Sequence, residues 1–289
     1  MNSSQNNLDE KPVIYLTGFG PFGGYKVNAS DAAVSLVEKT NLAHELGVEL
    51  VCETLEVDYC SARKILPQRW TQLKPKLVVH VGVAGHASKL TLEEQAGNDG
   101  YTCLDIKHTC PQDHCCIPGG KDILMTNLPL KDVARDINQN VSLQLKCELS
   151  QDPGKYLCSF VYYTSLNQDA SRSIFIHVPP LEVCSAEITA KALAQAIRLL
   201  YRTVQVADAT TNIVSAQESV NGNTRPVEND CVNNPRLIDT ERNTSFQEQE
   251  EGPAGTATSR VLPTSNDAKP AGEIGDGALE MSKLNLTGD

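Results

Sequence analysis

A cysteine in the second half of the chain has the surroundings of a nucleophile. Cys158 follows residues 151–154, whose sequence Gln-Asp-Pro-Gly is a strong turn signal, and residues 155–167 contain no helix breaker. This pattern predicts a buried helix with Cys158 in or near its first turn. Backbone N–H groups are unpaired at a helix start and favour negative charge there. A thiol at this position ionises more easily, and its thiolate is a nucleophile.

His177 is the candidate base for this cysteine. Residues 173–180, Ser-Ile-Phe-Ile-His-Val-Pro-Pro, predict a short apolar strand that ends at two prolines. Single cysteines are more often small buried residues than nucleophiles, so a third group that orients the imidazole would strengthen the pair. Glu93 and Glu94 follow a predicted strand over 77–81, and their spacing does not decide between them.

The elements that must position these residues alternate along the chain. The apolar patterns predict strands at 13–16, 48–52, 77–81, 145–149 and 173–178, and helices at 30–38, 58–73, 130–137, 155–167 and around 193–201. Residues 82 to about 128 are predicted to be rich in loops. We expect an α/β fold, three-layer α/β/α, with a twisted, largely parallel central sheet. Ligands bind beyond the carboxyl ends of such strands, where three of the predicted loops could meet.

Composition divides the chain into two regions. The 289 residues carry a net charge of -11. Residues 12–203 predict one folded domain, whereas residues 204–289 are acidic and of low complexity, with too few apolar residues to offset the entropy of ordering. We expect this tail to be disordered. An acidic chain without a basic patch argues against nucleic acid or an anionic membrane as a partner.

The ten cysteines are expected to be reduced thiols rather than a disulfide framework. The first residues are polar, and no apolar run approaches the length that spans a membrane. We therefore expect reduced thiols in a cytoplasmic protein. A cluster of Cys and His residues resembles a metal site at first, but its spacing fits no paired C-x₂-C pattern. We expect packed or unliganded thiols and no metal, with zinc and a disulfide as alternatives; the cluster comprises Cys103, His108, Cys110, His114, Cys115 and Cys116.

A glycine-rich segment follows the first predicted strand. Residues 18–23, Gly-Phe-Gly-Pro-Phe-Gly, satisfy the dinucleotide pattern G-x-G-x-x-G. In that motif the helix starts inside the glycines, whereas the candidate N-cap here is Ser30. The alternatives are a tight turn with Phe19 and Phe22 in the core, or a loop that presents two aromatic faces to a flat, uncharged ligand. We expect no cofactor.

Five separated segments together resemble one known family. They are 17–23 with 27–30, 80–83, 91–93, 156–166 and 175–180. Their order and spacing resemble pyroglutamyl-peptidase type I, the cysteine peptidases that remove N-terminal pyroglutamate, from about residue 12 to 203. The cysteine-rich insert at 110–116 resembles the animal branch of the family. The loop at 84–89, the segment 181–185 and the acidic tail depart from the pattern.

The resemblance implies a role for each candidate residue. Cys158 would be the nucleophile, His177 the general base and acid, and Glu93 the residue that orients His177. For the substrate it implies that Phe19 and Phe22 pack against the pyroglutamyl ring and that Asn28 supports their loop. It also implies that the backbone of Val83 forms a hydrogen bond with the lactam. The implied partners are N-terminally pyroglutamylated peptides. The alternative function is a catalytically silent relative that binds such peptides; the oligomeric state, monomer or homo-oligomer, stays open.

Overall fold

The computed structural model describes residues 11–23 and 26–221, with side chains through residue 213. The strands of this part of the chain are β1 (Val13–Phe19), β2 (Glu49–Leu55), β3 (Leu77–Val83), β4 (Leu90–Glu93), β5 (Gln95–Gly97), β6 (Ile123–Met125), β7 (Cys147–Ser150) and β8 (Ser173–Val178). Its helices are α1 (Ala29–Glu38), α2 (Leu42–Leu46), α3 (Tyr59–Leu73), α4 (Leu130–Gln139), α5 (Leu157–Gln168) and α6 (Ala186–Asn221).

A six-stranded sheet in the order β2-β1-β3-β8-β4-β7 forms the centre of the fold. Strands β1, β2, β3 and β8 run parallel to one another. Strand β4 is antiparallel to β8 and parallel to β7, and β5 and β6 form a separate antiparallel pair. The prediction of a largely parallel sheet is confirmed.

The two faces of the sheet are covered by different helices. Alternate strand residues such as Ile14 and Val79 pack against α1, α4 and α6, and the residues between them, such as Tyr15 and Val78, pack against α3 and α5. Both faces are buried, which explains why the central strands are continuous apolar runs rather than alternating ones. The three-layer α/β/α prediction is confirmed.

The predicted loop region after β3 contains a strand of the main sheet. Strand β4 has only four residues, and it lies between β8 and β7. A strand so short produces a weak alternation signal, and its antiparallel pairing is set by distant segments rather than by its own sequence. This insertion places Glu93, the last residue of β4, next to strand β8.

The last helix is longer than the sequence pattern predicts. Helix α6 continues past the predicted domain end at residue 203 to Asn221, and Val204 lies in the core, 3% exposed. Asp208 forms ion pairs with Lys76 and Arg172. The predicted start of the tail at residue 204 is therefore wrong, because the polar composition of the whole segment concealed a packed helix end. The prediction for residues 222–289 lies outside the described residues.

Candidate functional site

Cys158 is the second residue of α5, as the turn signal predicts. Gly154 adopts φ of 78°, and its N–H donates to the Asp152 side chain, so the chain turns sharply before the helix. Tyr156 is the N-cap residue and makes no side-chain capping bond. The first-turn N–H groups are thus free of the usual cap and lie beside the half-buried Cys158 side chain. Such groups favour a negative charge on sulfur or on an oxygen bound nearby.

His177 and Glu93 meet on one face of the sheet. In the antiparallel β4–β8 pair, Thr91 lies opposite His177, so Glu93 is a diagonal neighbour of the histidine on the same face. Glu93 Oε1 lies 2.7 Å from His177 Nδ1, and both residues are buried. Glu94 instead accepts a hydrogen bond from Gln151 Nε2 at 3.0 Å. The contact that the sequence left undecided is therefore made by Glu93.

The thiol completes a chain of three side chains. Cys158 is the other side chain close enough to His177 to affect the charge of its imidazole. Burial alone would lower the pKa of His177, but the contacts of His177 with Cys158 and Glu93 outweigh burial and raise this pKa from 6.5 to about 10. The geometry thus favours a protonated imidazole at His177. Since Nδ1 is engaged by Glu93, Nε2 is the nitrogen available to the sulfur.

Gly82 provides the space for this sulfur, and the sequence reasoning missed it. Gly82 lies opposite His177 in the β3–β8 pair. A Cβ atom placed on Gly82 would lie 3.0 Å from Cys158 Sγ and 2.7 Å from Cζ of the buried Phe175. The distance to Phe175 is shorter than packed side chains allow, and the distance to Sγ is tighter than most packed contacts. The signal that could have found it is a glycine near the end of a buried strand, which marks close approach of another group.

Beside Cys158 lies a cavity of 370 Å³ with a largely apolar lining. It includes three of the four predicted binding residues, namely Phe22, Asn28 and Val83. Phe19 is only 3% exposed; its ring packs against Phe175 and lines a smaller recess that also touches Phe22 and Cys158. The two phenylalanines thus differ: Phe19 is mainly a core residue, and Phe22 faces the larger cavity. Tyr156 lines both spaces and was not predicted.

Asn28 holds the loop that carries the phenylalanines. Its Nδ2 donates to the Gly20 carbonyl at 3.0 Å, and its Oδ1 accepts from both the N–H and the hydroxyl of Ser30. The Ser30 Oγ accepts in turn from the Phe19 N–H at 3.0 Å. Asn28 is therefore the N-cap of α1, and the prediction of Ser30 as the cap is wrong by two residues. The sequence signal was ambiguous because both residue types cap helices well.

A second buried histidine lies close by but belongs to a different network. His80 is fully buried on β3, with Nδ1 2.7 Å from Thr17 Oγ1 and Nε2 2.7 Å from Ser165 Oγ. Trp70 Nε1 also donates to Ser165 Oγ, at 3.1 Å. Burial lowers the pKa of His80 from 6.5 to about 3, so this imidazole is neutral. Its partners are hydroxyls of β1 and α5, and it ties these two elements to β3.

The cysteine-rich segment has no metal-binding geometry in the described part of the chain. No group of three or more His, Cys, Asp and Glu residues there could hold a metal ion. Cys110 Sγ lies 3.8 Å from His114 Nδ1, and the Cys116 thiol packs 3.2 Å from Thr164 Oγ1. The described cysteines are free thiols. A packing role fits Cys116, which burial also gives a raised pKa of about 11.

A thiol, an imidazole and a carboxylate linked in this order, with helix N–H groups beside the thiol, define the class of cysteine hydrolases on an α/β sheet. A sequence profile described as pyroglutamyl peptidase matches residues 12–217. The chain therefore belongs to the pyroglutamyl peptidase family.

Curated relatives and solved structures agree with this family. Pyroglutamyl-peptidase 1 of Homo sapiens is 40% identical over 171 residues, which are 59% of this chain and 80% of that protein. The pyrrolidone-carboxylate peptidase of Thermococcus onnurineus is 30% identical over 181 residues, 57% of this chain and 82% of that protein.

Among solved structures, Bacillus amyloliquefaciens pyroglutamyl peptidase I has a TM-score of 0.56 at 27% identity, covering 65% of this chain and 95% of its own. A mutant pyrrolidone carboxyl peptidase of Pyrococcus furiosus has a TM-score of 0.60 at 23% identity, covering 66% of this chain and 99% of its own. The latter likeness shows the fold alone.

Proposed function

We propose that this cysteine peptidase hydrolyses the peptide bond after an N-terminal pyroglutamyl residue, with Cys158 as nucleophile, His177 as general acid and base, and Glu93 as the group that orients His177. The observation that carries these assignments is the continuous Cys158–His177–Glu93 contact beside the 370 Å³ cavity. The assignments of Phe19, Phe22, Asn28 and Val83 rest on the position of the cavity.

The substrate fits the chemistry of this cavity. A pyroglutamyl terminus has no free amine; it presents a neutral five-membered lactam with one N–H and one C=O. Phe22 would pack against the ring, and Asn28 would hold the loop in place. The backbone at Val83 would form a hydrogen bond with the lactam. Phe19 would support the ring from the recess. A site built to hydrogen-bond a polar group rejects an analogue without it by roughly 10⁴. A prolyl terminus lacks the lactam carbonyl and should be a poor substrate.

The first half of the reaction forms an acyl-enzyme. The Cys158 thiolate attacks the carbonyl carbon that joins pyroglutamate to the next residue, a C–S bond forms, and the carbonyl electron pair moves onto oxygen. N–H groups of the first turn of α5 stabilise this oxyanion; one such donor is worth about 3–4 kcal/mol. When the C–N bond breaks, His177 Nε2 gives its proton to the leaving amine. The products of this half are a thioester and a free peptide.

The second half releases pyroglutamate. Neutral His177 takes a proton from water as the oxygen attacks the thioester carbonyl. The C–S bond then breaks and the electron pair returns to sulfur, which restores the thiolate–imidazolium pair. Glu93 holds Nδ1 throughout, so Nε2 stays directed at the reacting atoms.

The test is hydrolysis of pyroglutamyl-aminomethylcoumarin by the wild type and by Cys158→Ser. We expect rapid release of the fluorophore by the wild type, little release from prolyl-aminomethylcoumarin, and near-complete loss in Cys158→Ser. Cys60→Ser, which changes an exposed cysteine on α3, is the matched control and should keep full activity. Full activity in Cys158→Ser would refute the nucleophile assignment. Binding of a pyroglutamyl peptide without turnover by the wild type would support the silent binder instead.

We also propose a cytoplasmic location and no nucleic-acid partner. The free thiols of the described cysteines suit a reducing compartment, and the net charge of -11 opposes binding to phosphate backbones. None of the described helices has the length and apolar character needed to cross a bilayer. Alkylation of the thiols in intact cells followed by fractionation would test the location; oxidised cysteines in a secreted fraction would contradict it.

A further inference from the structure

A second cavity adjoins the catalytic contact from the side of the histidine. Its volume is 400 Å³, and both Glu93 and His177 line it, whereas the first cavity touches Cys158. We call it the edge groove, after the edge strand β7; its lining includes residues 86–88, Thr91, Glu148, Ser150 and residues 152–154. No step of the proposed mechanism involves this cavity.

The edge groove lies on the face of the sheet that carries His177. Thr91 lies opposite both His177 and Glu148, and Glu93 lies opposite Ser150, so the groove floor is the face of β4 and β7 that carries the catalytic histidine. Helix α5, which carries Cys158, packs over β3 and β8 on that face. His177 therefore separates the first cavity, on the β1 side, from the edge groove, on the β7 side.

The position of His177 as proton donor indicates which part of the substrate reaches the edge groove. If the lactam occupies the first cavity, the leaving amine must lie at His177 to receive its proton. The residue that carries this amine must then continue on the far side of His177, where the edge groove begins. This step rests on the proposed function.

The charges of the edge groove favour a cationic side chain. Glu148 and Asp152 contribute two exposed carboxylates, and Lys89 offsets one of them through an ion pair of 2.8 Å with Glu148. Glu93 and His177 balance each other, and the exposed His86 is the remaining titratable group of the lining. The net charge of the groove lining is therefore negative, which favours a positively charged substrate side chain.

We infer that the edge groove is the subsite for the residue after pyroglutamate, and that it favours lysine or arginine over glutamate through Glu148 and Asp152. Exposed carboxylates contribute little each, so a preference of about five- to tenfold in kcat/KM is expected at low salt. At an ionic strength of about 0.01 M charges act over about 30 Å, and at about 1 M over only about 3 Å, so the preference should shrink with salt.

The experiment compares the full-length protein on three substrates at both salt concentrations. Pyroglutamyl-lysinamide and pyroglutamyl-glutamic acid α-amide differ only in the charged side chain, and free amine release measures both rates. Pyroglutamyl-aminomethylcoumarin has no side chain for the groove and reports the proposed function alone. If it is not hydrolysed, the proposed function fails; if it is hydrolysed but the two amides react equally, only the subsite fails.

Paired variants locate the preference in the groove. Glu148→Gln with Asp152→Asn removes both carboxylates, while the new amide oxygen at position 152 can still accept from the Gly154 N–H. The control is Asp136→Asn, which removes a carboxylate from α4, on the opposite face of the sheet. We expect the double variant to reduce the lysine preference to about twofold or less and to keep wild-type turnover of the coumarin substrate. A preference retained in the double variant, or lost equally in Asp136→Asn, would overturn the inference.

Discussion

Two histidines on neighbouring strands show how partners, rather than burial, decide what a buried imidazole does. His80 on β3 lies opposite Phe175 on β8, and His177 lies two residues further along β8 on the same face. Both are buried in the layer beneath α5. Yet His80 has a pKa lowered to about 3, and His177 has a pKa raised to about 10. A shift of two residues along the sheet thus distinguishes a neutral structural imidazole from a charged one.

The difference lies in what each ring nitrogen contacts. His80 contacts two hydroxyl groups, which can donate or accept but bring no charge, so burial alone sets the direction of its pKa shift. His177 lies beside the Glu93 carboxyl group and the Cys158 side chain, and these two groups overcome the same cost of burial and raise its pKa. With hydroxyl partners, burial lowers the pKa of a histidine, whereas acidic partners can raise it despite burial. Substitutions around His177 and at His80 test this difference.

Glu93→Gln should have the largest effect. The amide can still accept from Nδ1 but carries no charge, so the pKa of His177 should fall below about 10 and the imidazolium should be less favoured. Loss of the carboxylate in comparable triads lowers kcat by about 10⁴, and a similar loss is expected here. Steady-state hydrolysis of the coumarin substrate measures it. Glu94→Gln, one residue along, is the control and should stay within a few-fold of wild type; an equal loss in both variants would contradict the role of Glu93.

Gly82→Ala should have an intermediate effect on activity. Its Cβ would lie 2.7 Å from Phe175 Cζ and 3.0 Å from Cys158 Sγ, in a strand that pairs with β8 at this position. The sulfur or the ring must move, and a misplacement of about 1 Å can cost about 10² in rate. The rate of Cys158 alkylation by iodoacetamide and kcat/KM should fall together.

Val79→Ala is the control for Gly82→Ala. It changes the same strand on the opposite face, where Val79 is fully buried. It should lower the free energy of unfolding by about 1–3 kcal/mol without changing kcat/KM of the folded protein. Wild-type activity in Gly82→Ala would show that the space beside the sulfur is not needed.

His80→Leu should have the smallest effect on activity and a clear effect on pH-dependent stability. The pKa of His80 is lower in the folded chain than in the unfolded chain, so the unfolded state binds the extra proton. Stability is therefore lost as pH falls below about 6.5, by about 1.4 kcal/mol per pH unit towards about pH 3 from this group.

The variant removes that titration, so its loss of stability between about pH 6.5 and about pH 4 should be shallower than that of the wild type. At neutral pH it should be less stable, because Thr17 and Ser165 lose a buried partner, at about 1–3 kcal/mol for each hydroxyl. Urea unfolding across this pH range measures both effects. Equal pH dependence of wild type and variant would refute the neutral assignment, and kcat/KM at neutral pH should remain within a few-fold.

The placement of Cys158 and His177 in their own helix and strand could be predicted from the sequence. Turn chemistry at 151–154 and the absence of helix breakers over 155–167 placed Cys158 in the first turn of α5, and the paired prolines placed His177 near a strand end. Both signals are local, because capping and strand termination depend on neighbouring residues. The alternation of strands and helices likewise predicted the layered fold.

What the sequence could not provide is long-range pairing. The choice of Glu93 over Glu94 depends on the antiparallel entry of β4 between β8 and β7, which its four residues do not specify. The need for glycine at position 82 depends on a sulfur that lies on another element. The end of the folded domain was misplaced for the same reason, since Asp208 is held by Lys76 and Arg172 from distant parts of the chain.

Nuclear magnetic resonance of histidine ring nitrogens across a pH titration tests the central contrast most directly. Asparagine variants of the two buried histidines assign their signals. We expect His177 to stay protonated from neutral pH until close to pH 10, and His80 to stay neutral down to about pH 3. Titration of His177 near its ordinary value of 6.5 in the wild type would contradict the thiolate–imidazolium pair and, with it, the proposed mechanism.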